Sequence, residues 1–130
     1  MIAVDTNLLA RLLLQDDAAQ YKKVKALFET RQIFTAPVAV ILELVWVLES
    51  NGIDAALIAS GLTALLNLPN FKPERIDALH KALRYYTLGM GFANALHLAL
   101  SAGEQKFMTF DKAFVRLAKK LGVEPDVLSP

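Results

Sequence analysis

Short apolar runs alternate along this chain with longer segments in which apolar residues recur at helical spacing. The first four residues, Met1 to Val4, predict a short buried strand, and leucines at positions 8, 9, 12 and 13 then follow at the spacing of a helix. The alternation continues to the C-terminus, where it predicts further strands at 33–36, 106–110 and 125–128 and helices at 18–30, 38–50, 53–67, 74–88, 92–102 and 112–121. Strands separated by helices favour a parallel sheet covered on both faces, and the length suits one domain over residues 1–130.

The predicted helix at 38–50 has apolar residues around nearly its whole circumference, with Glu43 in the middle. This pattern is typical of a buried helix. An ionised carboxylate in such surroundings costs several kcal/mol unless it is paired or bound to a cation. We therefore expect a cation to compensate Glu43; the alternative is that Glu43 faces solvent or pairs with an arginine.

Two aspartates, Asp5 and Asp111, each follow an apolar strand and precede a helix. Either side chain could simply cap the helix that follows it, because aspartate is a good N-cap. If the two strands are neighbours, however, both carboxylates lie at the edge of the sheet where α/β proteins bind ligands. Glu43 on a crossover helix could then reach them.

Composition limits the chemistry that such a site could use. The chain has no cysteine and two histidines, which excludes disulfides and thiolate metal sites, so a metal here should be a hard, oxygen-ligated ion. A net charge of +1 gives no polyanion-binding signature for the whole chain. Apolar residues make up 55%, which suggests that some apolar surface is left for a partner. No signal peptide or membrane-length run is visible, and we expect a soluble, cytoplasmic protein.

The predicted helix at 92–102 carries one polar stripe, formed by Asn94, His97 and Ser101. A solvent-facing stripe explains His97 and Ser101. Asn94 lies in the first turn, where the helix dipole favours negative charge.

Four segments in this order resemble a PIN domain of the VapC toxin type: AVDTN at 3–7, LELVWVL at 42–48, GFANALHLALS at 91–101 and MTFDKAF at 108–114. The resemblance implies a three-layer α/β/α sandwich around a short parallel sheet of four to five strands, with the N-terminal strand in its centre. It also implies a ribonuclease that depends on Mg²⁺ or Mn²⁺ and is inhibited by a VapB-like antitoxin.

The resemblance assigns catalytic and metal-binding roles to Asp5, Glu43, Asn94 and Asp111. It assigns supporting roles to Thr6 and Asn7. At the third acidic position the family normally has aspartate where this chain has Asn94, and the aspartate that usually precedes the phenylalanine of that motif is replaced by Gly91. An amide oxygen can still orient a water or a metal, but it carries no charge, so metal affinity should fall.

The implied reaction is hydrolysis of an RNA phosphodiester by a metal-activated water. Asp5 and Glu43 would hold the principal ion, while Asp111 and Asn94 would position a second ion or the attacking water. Contacts to the RNA backbone could come from four basic residues, although solvated helix faces explain them equally well: Arg11, Arg84, Lys112 and Arg116.

Two alternatives remain at this point. The chain could be a catalytically inactive PIN-fold module that binds RNA or an antitoxin. It could also be a receiver-like phosphoryl-transfer domain with Asp5 as phosphoacceptor, although it lacks a phosphate-cradling glycine loop. For the nuclease we expect tRNA or another structured RNA as substrate, assembly as a homodimer and no membrane partner.

Overall fold

A computed structural model describes all residues from 1 to 130 and contains four short strands and seven helices. The elements, in chain order, are β1 (Ile2–Ala3), α1 (Thr6–Leu14), α2 (Ala18–Phe28), β2 (Phe34–Thr35), α3 (Val38–Ser50), α4 (Ala55–Leu66), α5 (Ile76–Thr87), α6 (Phe92–Leu100), β3 (Lys106–Met108), α7 (Lys112–Leu121) and β4 (Asp126–Leu128). The chain divides into two compact units, Met1–Asp77 and Ala78–Pro130. The expected α/β class with parallel strands is confirmed.

The first unit is built on the parallel pair β1 and β2. Ile2 lies opposite Phe34 and Ala3 opposite Thr35, and Phe34 also forms a bridge to Phe71 in the connector after α4. Both strands are short because a helix begins soon after each: Asp5 caps α1, and Pro37 precedes α3. Consequently, only a few ladder hydrogen bonds form.

Helix packing forms the core of this unit. Helix α1 packs against α2 and α3, and α3 packs against α4. The side chains at these contacts are apolar and almost completely buried, among them Leu9, Ile41, Leu44, Ile58 and Leu62. Fully burying a leucine or isoleucine stabilises the fold by about 1.5–3 kcal/mol, so these leucine-rich helices hold the short strands in place.

The second unit contains α5 from Ala78 onward, α6 and α7, with the parallel pair β3 and β4. Phe107 lies opposite Val127, and Met108 lies opposite Leu128. Helix α7 packs against β4, and the ring of Phe107 meets that of Phe114 with 5.6 Å between centroids. Asp111 therefore sits between a strand and a helix that aromatic packing holds together.

Three expectations differ from the structure. The strands form two separate two-stranded sheets, so β1 has one strand neighbour and does not form the centre of a four- or five-stranded sheet. β1 is also not buried, since Ile2 is 44% exposed. Helix α3 is not buried on all sides, because Trp46 is 67% exposed and Glu43 is exposed as well.

None of the helices is both long enough and apolar enough to cross a lipid bilayer.

Candidate functional site

Asp5 lies at the turn between β1 and α1 and caps the helix. Its backbone is extended (φ −99°, ψ 177°), and its Oδ1 accepts a hydrogen bond from the backbone N–H of Leu8 at 3.0 Å. Capping uses one carboxylate oxygen, and no hydrogen bond reaches Oδ2. Of the two supporting residues, Thr6 is buried and Asn7 is exposed. Asp5 therefore combines a structural role with an oxygen that is free to bind a ligand.

Glu43 does not have the buried position that the apolar pattern predicted. Its side chain is exposed, and no hydrogen bond or ion pair holds it. The buried face of α3 is formed by other residues, namely Ile41, Leu44, Val45 and Leu48. Glu43 thus faces solvent, as the alternative interpretation predicted, and it does not pair with an arginine. Glu43 lies on a helix that packs against α1, the helix that Asp5 caps.

Asp111 and Asn94 contact each other in the second unit. Asp111 caps α7 through Oδ1, which accepts from the backbone N–H of Phe114 at 3.0 Å. Its Oδ2 accepts a hydrogen bond from Nδ2 of Asn94 at 3.4 Å. Because the amide nitrogen faces the carboxylate, the amide oxygen of Asn94 remains available as a donor atom for a cation or as an acceptor for water.

The first turn of α6 offers no carboxylate of its own. Gly91 occupies the N-cap position and supplies no side-chain hydrogen bond. Asn94 is half-buried in the first turn, whereas His97 further along the helix is exposed, as the solvent-facing interpretation predicted. With Gly91 and Asn94 in these positions, the first turn of α6 carries no negative charge, although the helix dipole would favour one there.

The four basic candidates differ in how freely they could reach a ligand. Arg11 forms an ion pair with Asp16, with 2.6 Å between Nη1 and Oδ1. This hydrogen bond lowers the pKa of Asp16 and raises that of Arg11. Arg84 lies over the ring of Tyr85, 5.5 Å from its centroid. Lys112 and Arg116 are exposed on α7 and have no acidic partner, so these two are the freest.

Two exposed aromatic residues beside the acidic positions were not among the candidates. Phe110 is 84% exposed and directly precedes Asp111, and Trp46 is 67% exposed one helical turn after Glu43. For Phe110 the signal was present in the sequence, because alternation along the strand at 106–110 places residues 106, 108 and 110 on one face. For Trp46 no such signal was present, because the apolar residues on all sides of α3 suggested that this residue was buried too.

The available donor atoms are those that a hard divalent cation prefers. The candidate residues carry carboxylate or amide oxygens, and the chain has no cysteine that could supply a thiolate. No group of three or more His, Cys, Asp or Glu side chains lies together in a way that could hold a metal ion. The donor chemistry therefore fits Mg²⁺ or Mn²⁺, while a preformed three-carboxylate cluster is absent.

Comparison with known proteins places most of the chain in one protein family. The family model described as PIN domain matches residues 2–120, a stretch that includes Asp5, Glu43, Asn94 and Asp111. No curated protein matches the chain. Since the match covers far more than half of the sequence and takes in residues of both units, the chain belongs to the PIN domain family.

Proposed function

We propose that this PIN-family chain is a metal-dependent endoribonuclease of the VapC toxin type, acting on RNA in the cytoplasm. PIN domains are generally nucleases, and the family match is the basis for this reaction class. The observation that carries the proposal is the state of the carboxylates. Glu43 and Oδ2 of Asp5 have no hydrogen-bond partner in the protein, and both side chains are exposed, so their oxygens are open to a ligand.

Catalytic and metal-binding roles are proposed for Asp5, Glu43, Asn94 and Asp111 on the motif resemblance, and the PIN domain match covers all four positions. Asp5 and Glu43 would hold Mg²⁺ or Mn²⁺ through carboxylate oxygens. An ion held there would supply two effects: a lower pKa for a bound water and neutralisation of negative charge that develops on the phosphate. The amide oxygen of Asn94 would accept a hydrogen bond from the attacking water, and Asp111 would orient Asn94 through the contact between Oδ2 and Nδ2.

Basic side chains would bind the phosphates of the RNA backbone. Lys112 and Arg116 are exposed on the helix that Asp111 caps, so their charges lie close to one of the proposed site residues. Arg84 and Arg11 are weaker candidates, because each already contacts another side chain. Thr6 and Asn7 directly follow Asp5 and would support its position.

Cleavage assays with matched variants test the proposal. The substrates are a labelled single-stranded RNA and bulk tRNA, each with EDTA, Mg²⁺ or Mn²⁺. Asp5→Asn keeps a good N-cap, and Glu43→Gln is matched by Glu49→Gln, which changes another exposed glutamate of α3. We expect weak metal-dependent cleavage by the natural chain, a loss of about 100-fold or more for Asp5→Asn and Glu43→Gln, and no change for Glu49→Gln.

Metal-dependent cleavage that survives both Asp5→Asn and Glu43→Gln would refute the assignment of the site. Thermal unfolding of each variant shows whether a loss of activity reflects a loss of fold.

The second candidate function is an inactive PIN module that binds RNA or an antitoxin. It is favoured by the uncharged Asn94 and by the absence of a three-residue acidic cluster. If the chain is such a module, it binds RNA but does not cleave it in the same assay. Cleavage that appears only in Asn94→Asp would show that the site is intact but weakened by the amide.

A VapB-like antitoxin and a second copy of the chain are the proposed protein partners. Exposed apolar side chains support a protein partner, and Leu27, which is 41% exposed, borders a groove of about 270 Å³ between α1 and α2. Leu8 and Val24 also line this groove, and the charge of Arg11 there is already paired with Asp16, so a mainly apolar helix would complement it. Light scattering of the purified chain tests the homodimer, and inhibition of cleavage by the co-purified partner tests the antitoxin.

A further inference from the structure

Phe110 projects into solvent from a segment whose neighbouring backbone is hydrogen-bonded. The preceding residue, Thr109, donates its N–H to the carbonyl of Leu128 at 3.0 Å, and its Oγ1 accepts from the N–H of Asp111 at 3.0 Å. Phe107, three residues earlier, packs its ring against Phe114, whereas Phe110 contacts no other ring and is 84% exposed. The exposed aromatic ring beside Asp111 is therefore available to a ligand.

The helix that follows is strongly basic. Five of the 14 Lys and Arg residues lie between positions 105 and 120, where Asp111 is the only acidic residue. Those in α7 are exposed, make no ion pair and follow one side of the helix at spacings of three and four: Lys112, Arg116, Lys119 and Lys120.

The helix dipole explains only part of this charge. Cations stabilise the last turn of a helix, where Lys119 and Lys120 lie. Lys112 is the first residue of α7, where the dipole opposes a positive charge, and Arg116 lies in the middle. These two cations gain nothing from the dipole, and a polyanion running along α7 would give them a partner.

We propose that Phe110 stacks on an unpaired base of a bound RNA while the cations of α7 contact the adjoining phosphates. The choice of RNA as the ligand rests on the proposed function. Bases in a duplex are stacked on one another and offer no free face, whereas unpaired bases stack readily on aromatic side chains. The adjacent Asp111 then lies beside the phosphate next to that base.

A protein partner is the competing occupant of this surface. Met108 and Leu128 lie side by side on β3 and β4, and each is at least 40% exposed, so the surface near Phe110 also has an apolar part. A protein contact would need only an apolar side chain at position 110, whereas base stacking needs a flat ring. The excess positive charge favours RNA.

Binding measurements that need no cleavage separate these possibilities. The probes are a fluorescently labelled single-stranded RNA of about 12 nucleotides, enough to span a short basic helix face, and a blunt duplex of the same sequence, both in EDTA. We expect Phe110→Ala and Phe110→Leu to weaken binding of the single strand by about tenfold or more, and Phe110→Tyr to preserve it. Leu88→Ala, which removes another exposed side chain of the same unit, should leave it unchanged.

Salt dependence tests the cationic part. Replacing Lys112 or Arg116 with Gln should reduce the slope of log K against log salt by about 0.7 for each lost phosphate contact.

The inference is overturned if Phe110→Leu or Phe110→Ala binds the single strand as tightly as the natural chain, or if neither RNA binds. Phe110-dependent binding without cleavage by any variant would refute the proposed nuclease and leave this inference standing. If the chain cleaves RNA and Phe110→Ala has the same KM as the natural chain, the inference is refuted while the proposed nuclease stands.

Discussion

The contact between Asn94 and Asp111 makes Asn94→Asp the most informative single change. The substitution replaces a hydrogen bond of 3.4 Å with two carboxylates at a similar distance. Unit charges 3.4 Å apart repel by about 1 kcal/mol in water and by about 5 kcal/mol at an effective dielectric constant of 20. Because Asp111 is exposed and Asn94 half-buried, the lower figure is the better guide.

The dipole of α6 opposes part of this repulsion. A negative charge in the first turn of a helix is stabilised by about 0.3–1 kcal/mol, while the hydrogen bond from Asn94 is lost. We therefore expect Asn94→Asp to destabilise the metal-free protein by about 1 kcal/mol, which corresponds to a fall in Tm of about 2–6 °C for a chain of this size.

Divalent cations should reverse the effect, since two neighbouring carboxylates bind Mg²⁺ or Mn²⁺ better than a carboxylate and an amide do. A cation present at 100 times its Kd adds about 2.7 kcal/mol to stability. Thermal unfolding with and without Mn²⁺ at matched ionic strength measures this gain, and we expect a larger gain for Asn94→Asp than for the natural chain. Cleavage activity should rise in parallel.

The double variant Asn94→Asp/Asp111→Asn is the control, because it exchanges the carboxylate and the amide between the two positions and leaves the net charge unchanged. Both positions lie at helix N-termini and asparagine still caps α7, so dipole and capping effects largely cancel. We expect its metal-free stability to equal that of the natural chain. If Asn94→Asp unfolds at the same temperature as the natural chain in EDTA, and Mn²⁺ raises all three midpoints equally, the electrostatic reasoning is refuted.

Three further predictions concern other parts of the chain. Gly91→Asp should stabilise the protein by about 1 kcal/mol, because Gly91 has an extended backbone with open space around its Cβ position and α6 has no side-chain cap; thermal unfolding no later than that of Gly91→Ala would contradict this. Trp46 is the only tryptophan and lies one turn from Glu43, so Mn²⁺ should quench its fluorescence saturably, and Glu43→Gln should abolish the saturable part; equal quenching in both would count against metal binding at Glu43. The hydrogen bond from Arg11 lowers the pKa of Asp16 below its unfolded value. Asp16→Asn should therefore slightly lower the free energy of unfolding near pH 7, and this difference from the natural chain should disappear as the pH falls through the folded pKa of Asp16. A difference that stays constant in acid would exclude this pair as its source.

Helix positions were the most predictable part of the fold. The predicted limits of α3 at 38–50 and of α7 at 112–121 are confirmed, because strong end signals flank both helices. For α7 these signals are Asp111 before the helix and Gly122, with φ +64°, after it. Strand limits were less predictable, since an apolar run does not reveal how much of it finds a pairing partner.

Burial was predicted less well than secondary structure, and Glu43 shows why. The composition of α3 indicates that many apolar residues are available, but only the packing of neighbouring helices decides which of them are covered. With α1 and α4 against it, α3 buries one face and leaves Trp46 and Glu43 in solvent. In the second unit, the approach of Asn94 to Asp111 likewise depends on packing that neither motif encodes alone.

The capping bonds of Asp5 and Asp111 affect how natural variation in such chains should be judged. Each aspartate would be retained by selection for folding even after catalysis had been lost, since removing an N-cap costs about 1 kcal/mol. Glu43 has no such structural partner, so in a descendant that no longer cuts RNA it is free to drift. Among evolving copies of this chain, survival of the glutamate at position 43 would be the better sign of an enzyme still in use.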